Sequence, residues 1–379
     1  MIPIVDLKRQ YKQTGEEIEK AVVDVLRSGA YILGPNTKAL EQEFSQYLGT
    51  KHAIGLNSGT DALHLALRAL DIGKGDEVIT VAFTFVATTE SIEIVGATPV
   101  FVDIDPDTFN MDVTQIEDKI TPRTKAIMPV HLYGQPADMD VIMDIAKRHN
   151  LYVIEDCCQA VGAEYKGKKV GSFGDIGAYS FFPTKNLGGM GDGGMAVTNS
   201  DFLKDRMIAL RNHGGAVRYH HDEIGVNSRL DEIQSAILRV KMNYIDEWNK
   251  MRREVAHRYT ELFKDCEDVI TPKELDETYC VYHQYTIKVP NRDAVQKMLQ
   301  ENGVGAMLYY PIPLHMQKVH AHLGYKMGDL PKTEYNTQHV MSLPMFAELT
   351  AEEQKEIATK VKDCLLYTSD AADELDGVD

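Results

Sequence analysis

The sequence predicts an α/β fold, with a large unit on a mostly parallel central sheet and a smaller α+β unit after it. Three observations carry this. Through the first 250 residues, short apolar runs lacking polar alternation take turns with helical patterns, the texture of strands buried on both faces and covered by helices. A long helical pattern follows Asn227 and can bridge two units. After Pro272 the pattern changes to a strand and two helices. With 379 residues, 44% of them hydrophobic, the chain can fill both cores.

The elements follow in order. Strands are expected at 77–83 (EVITVAF), 98–104, 125–130, 151–156 (LYVIED), 177–182 (GAYSFF) and 195–199 (MAVTN). Amphipathic helices are expected at 60–70, 85–96 and 139–150, and one long helix over 228–263. The second unit holds a strand at 281–289 and helices at 292–302 and 351–366. The boundaries drawn are 1–250 for the large unit (its linking helix reaching about 264), 265–366 for the small one, and 367–379 as a tail. That tail has five acids and no Lys or Arg, unlike the rest of the chain, and is expected to be disordered and not native to the gene.

Composition narrows the function. A net charge of −17 repels polyanions and argues against a nucleic-acid partner. No apolar run reaches the ~18 residues of a membrane helix, and the N-terminus lacks a signal-peptide core, so a cytoplasmic protein is expected. The five cysteines (157, 158, 266, 280 and 364) include no CxxC pair, which points to reduced, buried thiols. His320 and His322 are at i,i+2 and face apart on a helix, and neither they nor His315 or His220–His221 suggest a metal centre.

Ligands of such sheets sit beyond the carboxyl ends of the strands, and four segments there can carry chemistry. Ser58, Gly59 and Thr60 open an amphipathic helix, whose free N–H groups and dipole suit a phosphate, although Ser58 or Thr60 could equally be a simple cap. Asp156 ends an apolar strand, where a carboxylate needs a cationic partner; a protonated pyridine nitrogen is one, and a structural capping acid is the alternative. Lys185 follows a strand in neutral surroundings, where a lowered pKa suits covalent attachment to an aldehyde, and Ser180 on that strand could bind a phosphate. Asn227 and Arg229 open the long helix and alone indicate only a cap and a solvated charge. The literal GxGxxG of Gly189, Gly191 and Gly194 leads into a strand and not a helix, so a dinucleotide site is rejected. An acid, a lysine and a phosphate cradle on neighbouring strand ends are what pyridoxal 5'-phosphate requires.

These segments, with FVDIDPDTFNMD, MPVHLYGQPADMD, RNHG and YYPIPLH, resemble in order the DegT/DnrJ/EryC1/StrS family of sugar aminotransferases, from about residue 2 to 366. The resemblance implies the aspartate-aminotransferase fold (fold type I), as a homodimer with shared active sites. It implies pyridoxal phosphate as a Schiff base on Lys185, Asp156 on the ring nitrogen, Gln159 beside the ring hydroxyl and Phe85 stacked on the ring. Ser58, Gly59, Thr60 and Ser180 would hold the phosphate, and Asn227 the phosphate of the other subunit's cofactor. Arg229, Tyr309, Tyr310 and His315 would border the substrate, with the 218–221 loop near its nucleotide. The implied reaction takes an amino group from L-glutamate to a 3-keto or 4-keto hexose nucleotide, ping-pong through pyridoxamine phosphate. A cyclitol ketone as acceptor, or a non-catalytic regulator that binds the cofactor, are the alternatives.

Overall fold

The computed structural model describes the backbone of residues 1–376 apart from 216 and 218, with side chains through 367. Helices α1 (Leu7–Ser28) and α2 (Pro35–Leu48) precede the sheet. β1 (His52–Leu56) runs into α3 (Gly59–Ala69), β2 (Glu77–Val81) into α4 (Ala87–Ile94), and then come β3 (Thr98–Val102), β4 (Thr124–Ile127), α5 (Met139–His149) and β5 (Tyr152–Asp156). A short ribbon, β6 (Glu164–Tyr165) and β7 (Lys168–Lys169), leads to β8 (Ile176–Ser180), β9 (Gly194–Thr198) and α6 (Asp201–Arg211).

Seven strands form one sheet in the order β1–β9–β8–β5–β4–β2–β3. β9 is antiparallel to both its neighbours and the other pairings are parallel. β2 and β9 are buried at every residue, as apolar runs without alternation require. Because β9 runs backwards, its first residues lie at the same edge as the last residues of β1, β8, β5, β4 and β2. The glycine run before it therefore sits at that edge, and it does lead into a strand. β1 escapes sequence reading, since HAIGL is short and contains His and Gly.

The long helix expected over 228–263 is in fact two, α7 (Glu232–Met242) and α8 (Ile245–Phe263). Residues before Glu232 are extended, with Asp231 at φ −63°, ψ 142°. The break falls at Asn243–Tyr244, where the amides of both close tight turns onto Val240 and Lys241. It is held by packing: Trp248 is 1% exposed and stacks on Tyr244 at 5.6 Å, and its indole N–H donates to Gln13 (3.0 Å). α7 can then lie against α1 and α2 while α8 turns toward the small unit.

The remaining elements are β10 (Thr278–Tyr279), β11 (Tyr285–Lys288), α9 (Arg292–Glu301), α10 (Pro331–His339), β12 (Val340–Leu343) and α11 (Ala351–Asp376). β11 and β12 pair antiparallel under a core of Tyr259, Phe263, Ile287, Leu299, Leu343 and Val361. The strand expected from 281 starts only at 285, because Val281 and His283 donate their N–H groups to Gly134 and Tyr133 of the large unit (3.1 and 2.7 Å). Two stretches cross the drawn boundaries. Residues 2–4 join the small unit, Ile2 pairing with Val304 and Ile4 O accepting from Met345 N–H (3.0 Å). Leu314, Tyr325 and Leu330 return to the large sheet, packing on Phe101 and Ala82. The last helix continues ten residues past the expected end at 366, into residues expected to lack structure; the Ala, Asp, Glu and Leu of 371–376 contain no Gly or Pro to stop it.

Candidate active site

The strand ends converge on a cavity of about 540 Å³. Of the residues proposed from sequence, Ser58, Gly59, Thr60, Phe85, Asp156, Gln159, Ser180, Lys185, Tyr309 and Tyr310 all line it. α3 starts there. Ser58 is its N-cap, with the hydroxyl oxygen accepting from Asp61 N–H (3.1 Å), so the capping reading of Ser58 holds. Gly59 and Thr60, the first helical residues, have no intrahelical acceptor for their N–H groups. Gly59 is needed for closeness: a Cβ there would lie 2.7 Å from Ser180 Cβ and 2.8 Å from Cys158 Sγ. α3, β8 and the turn after β5 thus meet at one point.

Asp156 ends β5, 5% exposed. One carboxylate oxygen accepts from Thr88 Oγ (2.9 Å) and the other from Cys158 N–H (3.1 Å). No Lys, Arg or His lies within ion-pair distance of it among the described residues. Next to it in sequence, Glu155 faces the other side of the sheet. Its oxygens accept from the N–H groups of Gly171, Phe173 and Gly174 (2.6–2.8 Å) and lie 3.1 Å from His131 Nε2. His131 Nδ1 accepts from Ala137 N–H (3.0 Å), so Nε2 is the donor. With Cys157 this forms a buried cluster of three potential metal ligands, but the lone pairs of Glu155 and His131 are taken up by these bonds.

Lys185 stands on the loop joining β8 to β9, with its N–H bonded to Phe182 O (2.8 Å). α7 pins this loop: Gln234 bonds both backbone groups of Met190 (2.8 and 3.1 Å), and the buried Lys241 ammonium donates to Gly188 O (2.7 Å). A side chain at Gly188 would run into the Pro183 carbonyl. Lys185 is half-buried and opens onto the cavity. Desolvation lowers its pKa below that of a free lysine, against the opposing pull of Cys158 and Asp156. Burial, followed by the Asp156 charge, pushes the Cys158 thiol well up, which keeps it a packing group.

Gln159 Oε1 accepts from Tyr133 N–H (2.8 Å) and its Nε2 donates to the Tyr310 hydroxyl (3.1 Å). Tyr133 holds a left-handed φ of 57°, and its hydroxyl donates to Tyr309 O. Burial raises the Tyr310 pKa, so its hydroxyl stays protonated. Phe85 is 55% exposed at the mouth, 6.2 Å from the Tyr310 ring.

Three proposed residues are not brought to the cavity. His315 is a correction: it is 2% exposed, its Nε2 3.0 Å from Glu334. The turn after Pro313 docks Leu314 on the sheet edge, Leu314 N–H bonding Ala82 O (2.9 Å), and carries the next side chain away. Asn227 is exposed and Arg229 half-buried, both outside this chain's cavity. Of the 218–221 loop, Arg218 lies outside the described residues, while His220 and His221 are exposed. Sequence reading missed Thr84, Thr88, Tyr133, Asp192, His283 and Gln284, which also line the cavity. Thr88, three residues after Phe85 at the start of a helix, was the one with a readable signal.

A lysine and a buried carboxylate at the edge of a mostly parallel sheet, beside a helix N-terminus, define a group-transfer enzyme of the α/β class. The chain belongs to the DegT/DnrJ/EryC1/StrS aminotransferase family, whose model matches residues 12–362. It is 52% identical to a "pleiotropic regulatory protein" of Geobacillus stearothermophilus over 95% of this chain and 97% of that one. It is 49% identical to the UDP-N-acetyl-3-dehydro-alpha-D-glucosamine 3-aminotransferase of Acidithiobacillus ferrooxidans, with the same two coverages. Among solved structures, DesV of S. venezuelae, in complex with a ketimine intermediate, superimposes with a TM-score of 0.93 at 40% identity, covering 96% of this chain and 98% of that one. NtdA of Bacillus subtilis, with bound cofactor PMP, gives 0.87 at 35% identity over 93% and 82%. Among the described residues, no helix is long and apolar enough to cross a membrane.

Proposed function

We propose that this chain is a pyridoxal-phosphate aminotransferase that converts a keto-sugar nucleotide to the amino sugar, with L-glutamate as donor. The observation that carries the reading is the meeting of Lys185, Asp156 and the α3 N-terminus on one cavity. The residues suit the cofactor. Asp156 is a buried carboxylate that lacks a cation, the Lys185 amine has no hydrogen bond within the protein among the described residues, and the Gly59 and Thr60 N–H groups face a space that a phosphate can fill. Bound there, pyridoxal phosphate would serve as an electron sink that eases removal of a proton next to nitrogen.

The chain's own residues supply the rest. Lys185 Nζ would hold the aldehyde carbon and, once displaced by the amino donor, carry the proton between the two carbons, for which a depressed pKa suits it. Asp156, fixed by Thr88 and Cys158 N–H, would keep the ring nitrogen protonated. Gln159 and Tyr310 would border the ring hydroxyl, and Phe85 one ring face. Asn227 and Arg229 lie off this chain's cavity, which supports a homodimer in which they serve the partner's site. The Acidithiobacillus relative supports a 3-keto sugar as the acceptor.

Visible spectroscopy tests the reading. A band near ~410–430 nm that moves to ~330 nm with L-glutamate is expected of a lysine-bound cofactor that accepts the amino group, and a panel of 3-keto and 4-keto sugar nucleotides should then restore the first band. A purely regulatory role, suggested by the Geobacillus relative's name, would keep the band but show no response to any sugar.

A further inference from the structure

His283 lines the same cavity as Lys185 and is 5% exposed. Its protonation pattern is fixed by a chain of amides. Asn249 Nδ2 donates to Val161 O (2.9 Å), which leaves Asn249 Oδ1 as an acceptor. Asn186 Nδ2 donates to that oxygen (2.8 Å) and lies 2.9 Å from Val281 O. Asn186 Oδ1 can therefore only accept, and His283 Nδ1 lies 3.2 Å from it. His283 must carry its proton on Nδ1, leaving a lone pair on Nε2. His283 lines the cavity and Asn186 does not, so with Nδ1 turned to Asn186, Nε2 is the ring nitrogen left for the cavity. Arg252 fixes the backbone from behind, donating to the carbonyls of Tyr282, His283 and Met345 (3.2–3.4 Å).

We propose that His283 is a positioning residue for Lys185: the two side chains share the cavity without a hydrogen bond in this structure, and the Nε2 lone pair would receive an N–H of the lysine and hold the ammonium when Lys185 takes up a proton. This rests on the reading of Lys185 as the proton carrier. The proton passes from substrate carbon to Lys185 Nζ and back to carbon, and His283 neither gains nor loses one. The charged groups around the pair agree with this. Burial, then Lys185 and Arg252, hold His283 neutral. Around Lys185, burial opposes the ammonium while Cys158 and Asp156 favour it. A neutral acceptor there strengthens Lys185 as a base, whereas the other tautomer would aim an N–H at the ammonium.

The test begins with cofactor-free protein. In ¹⁵N-histidine NMR, His283 should show a protonated Nδ1 and an unprotonated Nε2; the reverse would overturn the proposal. Reductive methylation of Lys185, followed against pH by mass spectrometry, should titrate about one pH unit or more lower in His283→Asn, which removes the lone pair. His283→Gln, whose amide oxygen reaches the Nε2 position, should restore most of it. With cofactor bound, His283→Asn should lower kcat about tenfold or more, leave KM for the donor unchanged, and move the acid limb of the kcat profile to lower pH. Thermal melts of both variants identify any that fails to fold, in which case the wild-type NMR and the other variant decide. Unchanged lysine titration in a folded His283→Asn overturns the proposal, as does a change confined to KM. If wild-type protein binds pyridoxal phosphate without a visible band, the cofactor reading fails instead, and the Lys185–His283 coupling is still read in the free protein.

Discussion

Asp156 accepts from a threonine hydroxyl and a backbone amide and has no Lys, Arg or His within ion-pair distance among the described residues. A cation from a bound cofactor would complete its surroundings. Asp156→Ala should therefore lower kcat by about 100-fold or more, the scale seen when a preorganised electrostatic partner is removed, while circular dichroism stays native. Lys185→Ala should abolish both the visible band and turnover; persistent turnover would refute its role. Ser58→Ala separates two duties of one residue. Because Ser58 caps α3, it should destabilise the protein by about 1 kcal/mol in urea and leave cofactor affinity nearly unchanged. The place of Asp156 and Lys185 on the cavity was legible because a charged side chain at the end of an apolar strand, or in a neutral loop just after one, is conspicuous in one dimension. His283 was not, since its part depends on Asn186, 97 positions away in sequence, and on Asn249, 63 positions from Asn186. His315 misled because a motif near the site does not reveal which side of the backbone faces it.

At the scale of elements, helix ends organise the site. α2 is capped at a distance: Glu232 at the start of α7 accepts from Asn36 and Thr37 N–H (2.5 and 3.0 Å) and from the Thr37 hydroxyl (2.7 Å). Burial alone would raise the Glu232 pKa, but these bonds outweigh it and the net shift is downward. A carboxyl with a depressed folded pKa stabilises the fold above its unfolded value and loses that contribution as pH falls through the folded one. Glu232→Gln should thus cost about 1–3 kcal/mol at pH 7, and the gap to wild type should close below about pH 4.3 in denaturant titrations from pH 7 to 3. Gly59→Ala tests the junction of α3 and β8. The added methyl meets Ser180 and Cys158, so stability should fall by about 1–3 kcal/mol and cofactor affinity should fall with it, unlike the Ser58 variant. Sequence pattern showed most of these helices and strands. It ran α7 and α8 together because hydrophobic period continues through Asn243, and the break comes from how Trp248 and Tyr244 pack.

For the whole molecule, the parallel sheet was legible from unbroken apolar runs, whereas the assignment of segments to the two units was not. Residues 2–4 and 314–330 follow partners far away in sequence, which no local pattern reports. A shared-site dimer makes a sharp prediction. Lys185→Ala and Asn227→Ala should each be strongly impaired, and subunits of the two, unfolded and refolded together, should regain activity. In the mixed dimer one site then has both native residues, so activity should approach about a quarter of wild type when partners assort at random. No recovery would place Asn227 outside the partner's site.

The seating of Ile2 against Val304 also has a consequence for synthesis. Ile2 must wait for about 300 further residues before its partner exists, roughly 15–60 s at ordinary translation rates. Throughout that interval the large sheet can form, while residues 2–4 stay unclaimed and open to chaperones. The pairing of Ile2 with Val304 would thus be among the last contacts the enzyme makes.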